Sequence, residues 1–535
     1  MRTSPGGTDE PADKPYSFEM RLVMSSFCFQ DVFGGLCCLK TMKANVLRLL
    51  ALAVLLGLGV RGAEERVWQY KLIEGSYLVD DCLICGRPSI QIPMRGSFTL
   101  RLISENPLES SYAVENVSFH ASNADQVYDF TGSGTFSLGG EVALHQEMAL
   151  TGDLVAPSGA KQTGFTNESA AVSRRLPMIG ITLRQTNGTL ANTVSLGIFA
   201  APIREIWFST DVSFTTSPDP RPDSLAAIPP IQTISSGDLL SSAGRVVMEN
   251  AEFQENFPGP TYENMGLDAV DLLPGAEIGF STDTVGVLSD GDVAMLRSGR
   301  ILRYWELMEP VGLIPLGDPG LDCLHFDNPN RFYFSIQNDI SIFYDSKPPL
   351  ILKKGDLLLT DLDLREGGVF KRNAELLSQF HPSEPEKDYG LDAVFIWPSG
   401  EIWFSTETGF TDNALGPISS GDLLSDQGYI VYRNLELLSP FKPNEDLSNF
   451  GLDALVIISD ALSEASGPKV QATFDAANHS LVLTWSGPGR VFQVERARTV
   501  TGPWVEVSPI MAKLRYEDFD VSGANSAGFY RVRQW

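Results

Sequence analysis

Twelve carboxylates recur at ordered positions along the middle of this chain: Asp238, Glu252 and Asp268; Asp292, Glu306 and Asp322; Asp356, Glu375 and Asp392; Asp422, Glu436 and Asp453. Hard cations take several oxygen ligands, so one chemistry open to such a series is a ladder of Ca²⁺ sites. The candidate ligands are the eight aspartates Asp238, Asp268, Asp292, Asp322, Asp356, Asp392, Asp422 and Asp453. The alternative is structural: each Asp accepts backbone N–H groups at a turn, and each Glu sits near a helix start. Asn373-Ala374-Glu375 and Asn434-Leu435-Glu436 read as a capping Asn opening a short helical turn. No loop carries the dense DxDxDG spacing of a calcium loop, and acids repeated in every copy favour the structural reading. A carboxylate pair would also suffice for glycoside hydrolysis. With 67 Asp+Glu in the chain, such a pair is available by chance alone.

Other reactive residues give little. No GxSxG, HExxH or phosphate-cradling Gly loop is present. His120, His145, His325, His381 and His479 have no ligand spacing and read as ordinary surface or core histidines. Cys82 and Cys85 form a CxxC, open to a redox, half-zinc or disulfide reading. No second pair completes a zinc ribbon and no βαβ context surrounds it, so a local disulfide is favoured. Cofactors are expected to be absent unless Ca²⁺ binds.

The acids belong to a repeat. Gly-Leu-Asp followed by Ala or Cys occurs at 266–269, 320–323, 390–393 and 451–454. An aromatic-Ser pair occurs at Phe208-Ser209, Phe280-Ser281, Phe334-Ser335 and Phe404-Ser405, 14 residues after the glycine wherever both exist. Gly-Asp follows at 237–238, 291–292, 355–356 and 421–422. The fixed interval predicts a hairpin, as in residues 390–406 around Pro398-Ser399-Gly400. Another strand is expected after each Gly-Asp, as in 428–433 and 299–304. Cys323 stands where other copies have Ala269, Ala393 and Ala454, so it reads as a buried, inert thiol.

Three expected strands per unit resemble the blades of a β-propeller, a resemblance of architecture rather than to one propeller family. Four copies would make either a small closed ring or an open array. The interval from aromatic-Ser to Gly-Asp varies, at 29, 11, 21 and 17 residues, which places insertions on one side of the assembly. The loops 211–235, 283–289, 337–353 and 407–419 are therefore the candidate recognition surface. Phe214, Phe343, Tyr344 and Phe410 are its expected exposed aromatics.

Residues 64–200 read as a separate β sandwich or barrel, with Phe98, Leu100 and Leu102 on one face. Gly139-Gly140 and Asn187-Gly188 mark two-residue hairpins, and 155–175 reads as loop. After a linker at 459–469, residues 470–535 resemble a fibronectin type III domain. Leu483, Trp485, Phe492, Val494, Trp504, Tyr530 and Val532 carry that resemblance, which implies a two-sheet sandwich that spaces or binds.

Met42 to Gly62 has basic residues, an apolar run over Leu49–Val60 and a small residue at its end, the pattern of a secretory signal peptide. Residues 1–41 then read as a misassigned start. A periplasmic or extracellular location follows, with no membrane span after cleavage. The net charge of −27 disfavours nucleic acid. The expected whole is an all-β, multidomain secreted protein of bacterial type: a β domain at 64–200, a repeat domain at 201–458 and a sandwich at 470–535. Its expected role is non-catalytic recognition of a glycan or protein at a cell surface. The alternatives are a polysaccharide hydrolase using paired carboxylates and a structural envelope component.

Overall fold

The computed structural model describes residues 66–535 except 83, 87–88, 125, 142, 168–169, 190–191, 217–231, 258–261, 283–287, 313–316, 344–348, 449, 463–466, 476, 479 and 520–527. The signal-peptide reading at 42–62, the start at 1–41, His479 and Tyr344 lie outside the described residues. Among the described residues no helix is long and apolar enough to cross a membrane. The chain is all-β, built of several antiparallel sheets with a few short helices.

The first region has ten strands: β1 (Val67–Leu72), β2 (Tyr77–Asp81), β3 (Gln91–Asn106), β4 (Glu109–Ser122), β5 (Val127–Gly139), β6 (His145–Ala156), β7 (Gly159–Thr166), β8 (Ala170–Ala171), β9 (Ile179–Gln185) and β10 (Thr193–Ala201). Each of β2 to β7 pairs with the next, β7 pairs β9, β9 pairs β10, and β10 returns to β2. The circuit is closed, and β1 continues the line of β2 between β3 and β10. Alternation along these strands sends one set of side chains inward. Met94, Phe98 and Leu100, Phe119, Phe130, Leu150, Phe165, Leu183 and Leu196 join one buried cluster. Gly132 and Gly152 face each other across β5 and β6. A Cβ on either would lie 2.4 or 2.0 Å from a carbonyl oxygen of the facing strand, so the close approach requires glycine.

Three expectations for this region need correction. Residues 155–166 are not a loop: β6 and β7 form a hairpin through Ala156–Gly159, with Thr163 and Phe165 buried, while 172–175 carry no helix or strand. The turn at 139–140 spans 140–144, because Gly139 still pairs with His145. The Asn187-Gly188 turn likewise widens to 186–192, closed by a Thr189–Asn192 bridge.

The repeat forms four four-stranded sheets. Their inner strands are Ala269–Leu273, Leu324–Asn328, Val394–Ile396 and Leu455–Ile458. The last of these crosses about the whole repeat in sequence to pair with Glu205–Phe208 and complete the first sheet. The inner strands contact one another in a closed cycle. Each hairpin expected between Gly-Leu-Asp and aromatic-Ser is present. Each sheet also has a strand that sequence reading missed, directly after Gly-Asp: Leu239–Ser241, Val293–Met295, Leu357–Asp361 and Leu423–Ser425. These are mostly three residues long and buried on both faces, so no alternation marks them. One-turn helices follow the outer strands: α1 (Asn250–Gln254), α2 (Tyr304–Met308), α3 (Asn373–Leu376) and α4 (Asn434–Leu438).

The C-terminal region has two three-stranded sheets. One is Lys469–Asp475, Ser480–Ser486 and Arg515–Asp518; the other is Val505–Glu506, Phe492–Ala497 and Phe529–Gln534. Leu483, Trp485, Phe492, Val494 and Val532 are buried between them and share a cluster with Trp207, Leu272 and Ile458 of the repeat.

Glu65–Trp535 is one compact unit. Asp460, 5% exposed, is where its three regions meet. Its carboxylate accepts from Gln69 N at 2.8 Å, Arg204 Nε at 2.6 Å and Trp535 Nε1 at 2.8 Å.

Candidate functional site

The order of strands in each sheet puts Gly-Leu-Asp, aromatic-Ser, Gly-Asp and the helix at one end, and the tight hairpins at the other. The C-terminal region covers the hairpin end. Gly275 and Ala276 donate to Gly489 O, Arg245 Nη2 donates to Ile510 O, and Trp535 shares a buried cluster with Leu272, Val456 and Ile458. The variable loops all leave from the opposite end.

At that end the recurrent acids divide into two quartets. Asp238, Asp292, Asp356 and Asp422 are buried. Each accepts the N–H three residues earlier, at 2.9, 3.0, 3.0 and 3.1 Å, which closes the Gly-Asp turn. Each also accepts the first N–H of the following helix, from Asn250, Tyr304, Asn373 or Asn434. Arg303, Arg372 and Arg433 add an ion pair in three of the four units. Glu252, Glu306, Glu375 and Glu436 stand at the third helical position and accept the N-cap N–H, half of a capping box.

The asparagines correct the sequence reading. Asn373 and Asn434 are the first helical residues, not the caps, which are Arg372 and Arg433. Their side chains are buried and hold the loop entering Gly-Leu-Asp: Asn434 Nδ2 donates to Leu447 O and Phe450 O, both at 2.9 Å. Asn250 does the same to Tyr262 O and Glu263 O.

The second quartet, Asp268, Asp322, Asp392 and Asp453, opens the four inner strands. Asp268 and Asp392 are buried; Asp322 and Asp453 are half-buried. Burial first, and then the charges of Asp453, Asp322, Glu407 and Asp211, push the Asp392 carboxyl well above the usual carboxylate range. Asp392 therefore holds its proton more tightly than an ordinary carboxyl does. Lys354 is the cation here: its Nζ lies 2.5 Å from Glu407 Oε2. Burial lowers its pKa, but the hydrogen bond and charge of Glu407, with Asp388 and Asp322, more than reverse this and raise it. The other units have Ser236, Asp290 and Ser420 at that position. Among the described residues no three His, Cys, Asp or Glu side chains are grouped so that they could hold a metal ion.

Sequence reading missed two further recurrent sets, one of four residues and one of three. The serines of the aromatic-Ser pairs are fully buried. Each donates to the Leu carbonyl of the next unit's Gly-Leu-Asp: Ser209 to Leu267 at 2.6 Å, Ser281 to Leu321 at 3.4 Å, Ser335 to Leu391 at 2.7 Å and Ser405 to Leu452 at 2.7 Å. These four bonds lace each unit to the next around the ring. Two residues before the first three Gly-Leu-Asp motifs, Asn264, Asp318 and Asp388 accept the glycine N–H and fix its left-handed conformation (φ +62° to +74°).

The expected exposed aromatics separate. Phe343 is 79% exposed. Phe214 and Phe410 are buried, which corrects their reading as exposed. Their loops fold into small hairpins, 214–216 with 232–234 and 410–412 with 416–418. Phe214 packs on Phe441 and Phe450, and Phe410 on Phe380 and Tyr389. Both stand six residues after the Phe of aromatic-Ser, as does Ile340, and that recurrence was the available signal of a core position.

Cys82 and Cys85 are joined by a disulfide. Cys323 is buried, and burial pushes its thiol pKa up, so it is held as the neutral thiol. His325 lies in the seam between the second and third sheets with Nδ1 3.2 Å from Asp271 Oδ2. The equivalent positions in the other two inner strands hold Phe395 and Val456. Comparisons of the chain with protein-family models, with curated proteins and with solved structures each find no match.

Proposed function

We propose that this is a secreted, non-catalytic recognition protein that meets a glycan or protein partner at the loop end of a four-bladed β-propeller. A β-barrel flanks the propeller, and a fibronectin type III-like tail closes its other end. The propeller reading is supported by the cycle of inner-strand contacts and by the last strand completing the first sheet. The observation that carries the functional reading is the placement of the variable loops. All four leave from one end of the ring, while the hairpin end is occupied by the C-terminal region. The Gly-Asp quartet is engaged with backbone in every unit, which supports a scaffold role for those acids. Asp211 and Glu407 lie exposed beside the inner quartet; Lys354 offsets the charge of Glu407, and the remaining carboxylates leave that end acidic and select a partner carrying positive charge.

The test is capture of the full chain on immobilised cationic polysaccharide or polylysine at low and high salt, with a neutral glucan as control. Retention that is lost at high salt, and weakened by Asp211→Asn with Glu407→Gln, supports the reading. Equal retention on the neutral glucan overturns it. Asp392 favours a second reading, because a buried carboxyl whose pKa is raised by burial and by nearby carboxyls suits a general acid. Release of new reducing ends, abolished by Asp392→Asn, would establish that hydrolase instead.

A further inference from the structure

A recess of about 580 Å³ lies where the barrel meets the fourth unit, within the size range of small-molecule sites. Ser173, Arg174, Arg175 and Phe199 line it from the barrel side, and Glu401 and Gln427 from the ring. It is far from uniform in charge, and it breaks the repeat.

The first and fourth units share the run Glu-Ile-Trp-Phe-Ser-Thr, at 205–210 and 401–406. In the first unit Glu205 Oε2 accepts from Trp207 Nε1, Ser241 Oγ and Arg245 Nη2, so an arginine of the same sheet neutralises it. In the fourth unit Tyr429 replaces that arginine. Glu401 Oε1 accepts from Trp403 Nε1 at 2.9 Å, Ser425 Oγ at 2.7 Å and the Tyr429 hydroxyl. All three bonds go to one oxygen. Glu401 is 1% exposed, and its Oε2 has no hydrogen bond among the described residues while the side chain lines the recess.

The cations stand across from it. Arg174 has its guanidinium carbon 4.0 Å from the Tyr429 ring centroid and 5.0 Å from that of Phe199. Arg175 reaches towards the turn at Gly400. Neither has a carboxylate partner among the described residues, although the chain carries 67 acids against 40 bases. Two adjacent arginines left without acids supply a fork for an oxyanion. The free Glu401 oxygen supplies an acceptor for a hydroxyl on the same ligand, and Gln427 an amide beside it.

We propose that this recess binds a hydroxylated carboxylate of the sugar-acid class, with the carboxylate on Arg174 and Arg175 and a ring hydroxyl donating to Glu401. The site is separate from the loop end and goes beyond the function proposed for it, so either can fail alone. The test is titration of the full chain with glucuronate, by calorimetry or ligand-observed NMR, beside glucose, acetate and sulfate. Saturable glucuronate binding is expected, with Arg175→Ala weakening it about 10- to 100-fold, the effect of losing a charged hydrogen bond. Glu401→Gln is expected to narrow the preference for glucuronate over acetate. Glucose is expected not to bind. Arg175 is exposed, so its variant keeps the wild-type melting temperature, and that is checked alongside. Absence of saturation by glucuronate, equal binding of acetate or sulfate, or affinity unchanged in both Arg174→Ala and Arg175→Ala would each overturn the proposal.

Discussion

The barrel and the four-sheet ring each close on themselves by different means. In the barrel, closure is a main-chain matter: a continuous hydrogen-bonded ladder runs from β2 through β7 and β9 round to β10 and back to β2. In the ring, the sheets are separate ladders. What joins them is apolar contact between inner strands together with four serine hydroxyls donated to the next unit's Leu carbonyl. Closure by ladder asks of the sequence only alternation and a few glycines. Closure by side chains asks for particular residues at particular places, repeated once per unit. The ring therefore leaves a signature in the sequence, and the barrel leaves only a pattern.

Substitutions can break or sharpen this contrast. The largest effect is expected at the junction of the regions. Asp460→Ala leaves Arg204 and the Trp535 indole N–H buried without their acceptor, a loss of about 3–5 kcal/mol read from chemical denaturation. Comparable losses after Phe130→Ala, about 3–5 kcal/mol, would show that the barrel depends on packing rather than on any polar residue.

In the ring, Asp422→Ala removes the acceptor shared by the Ser419 turn and the first N–H of α4. About 2–3 kcal/mol is expected, and less for Asp238→Ala, whose turn has no arginine. Equal costs at the two positions would show that the ion pair adds nothing. Ser405→Ala should cost about 1 kcal/mol. If it costs nothing, the lacing bonds do not hold the ring and the contrast with the barrel fails.

Asp392 is expected to act through pH. Its folded-state pKa is raised, so the folded chain binds its proton more tightly than the unfolded chain does. The stability this gives is fully present below the unfolded value near 3.9 and is lost as pH rises towards and through the folded value. Asp392→Asn should flatten that fall and raise the melting temperature at neutral pH. A pH profile identical to wild type would show the carboxyl to be ordinary. The smallest effect on stability is expected for Phe343→Ala, within about 0.5 kcal/mol because the ring is exposed.

Much of this organisation is legible in the residues. The 14-residue interval gives the hairpins, and the recurrence of Gly-Asp gives the turns. Closure was also written there as two loose ends. Phe208-Ser209 has no Gly-Leu-Asp before it, and Gly451-Leu452-Asp453 has no aromatic-Ser after it. The structure joins them across the sheet. The inner faces of Phe214 and Phe410 were not evident, because a long interval between motifs hides a hairpin of three-residue strands. The recess beside Glu401 was not legible at all. It depends on Arg174 and Tyr429 lying together from regions more than two hundred residues apart, and one departure from the repeat, Tyr429 for Arg245, is its only trace.

The last inner strand has a consequence for how the chain matures. Pairing Glu205–Phe208 with Leu455–Ile458 means that the first sheet stays incomplete until some 250 residues more have emerged. Contacts so distant in sequence form slowly and close a long loop. A chain emerging from its N-terminus would finish its first region early and hold an unfilled strand position at the start of the ring. Completion of the first sheet is thereby tied to arrival of Leu455–Ile458.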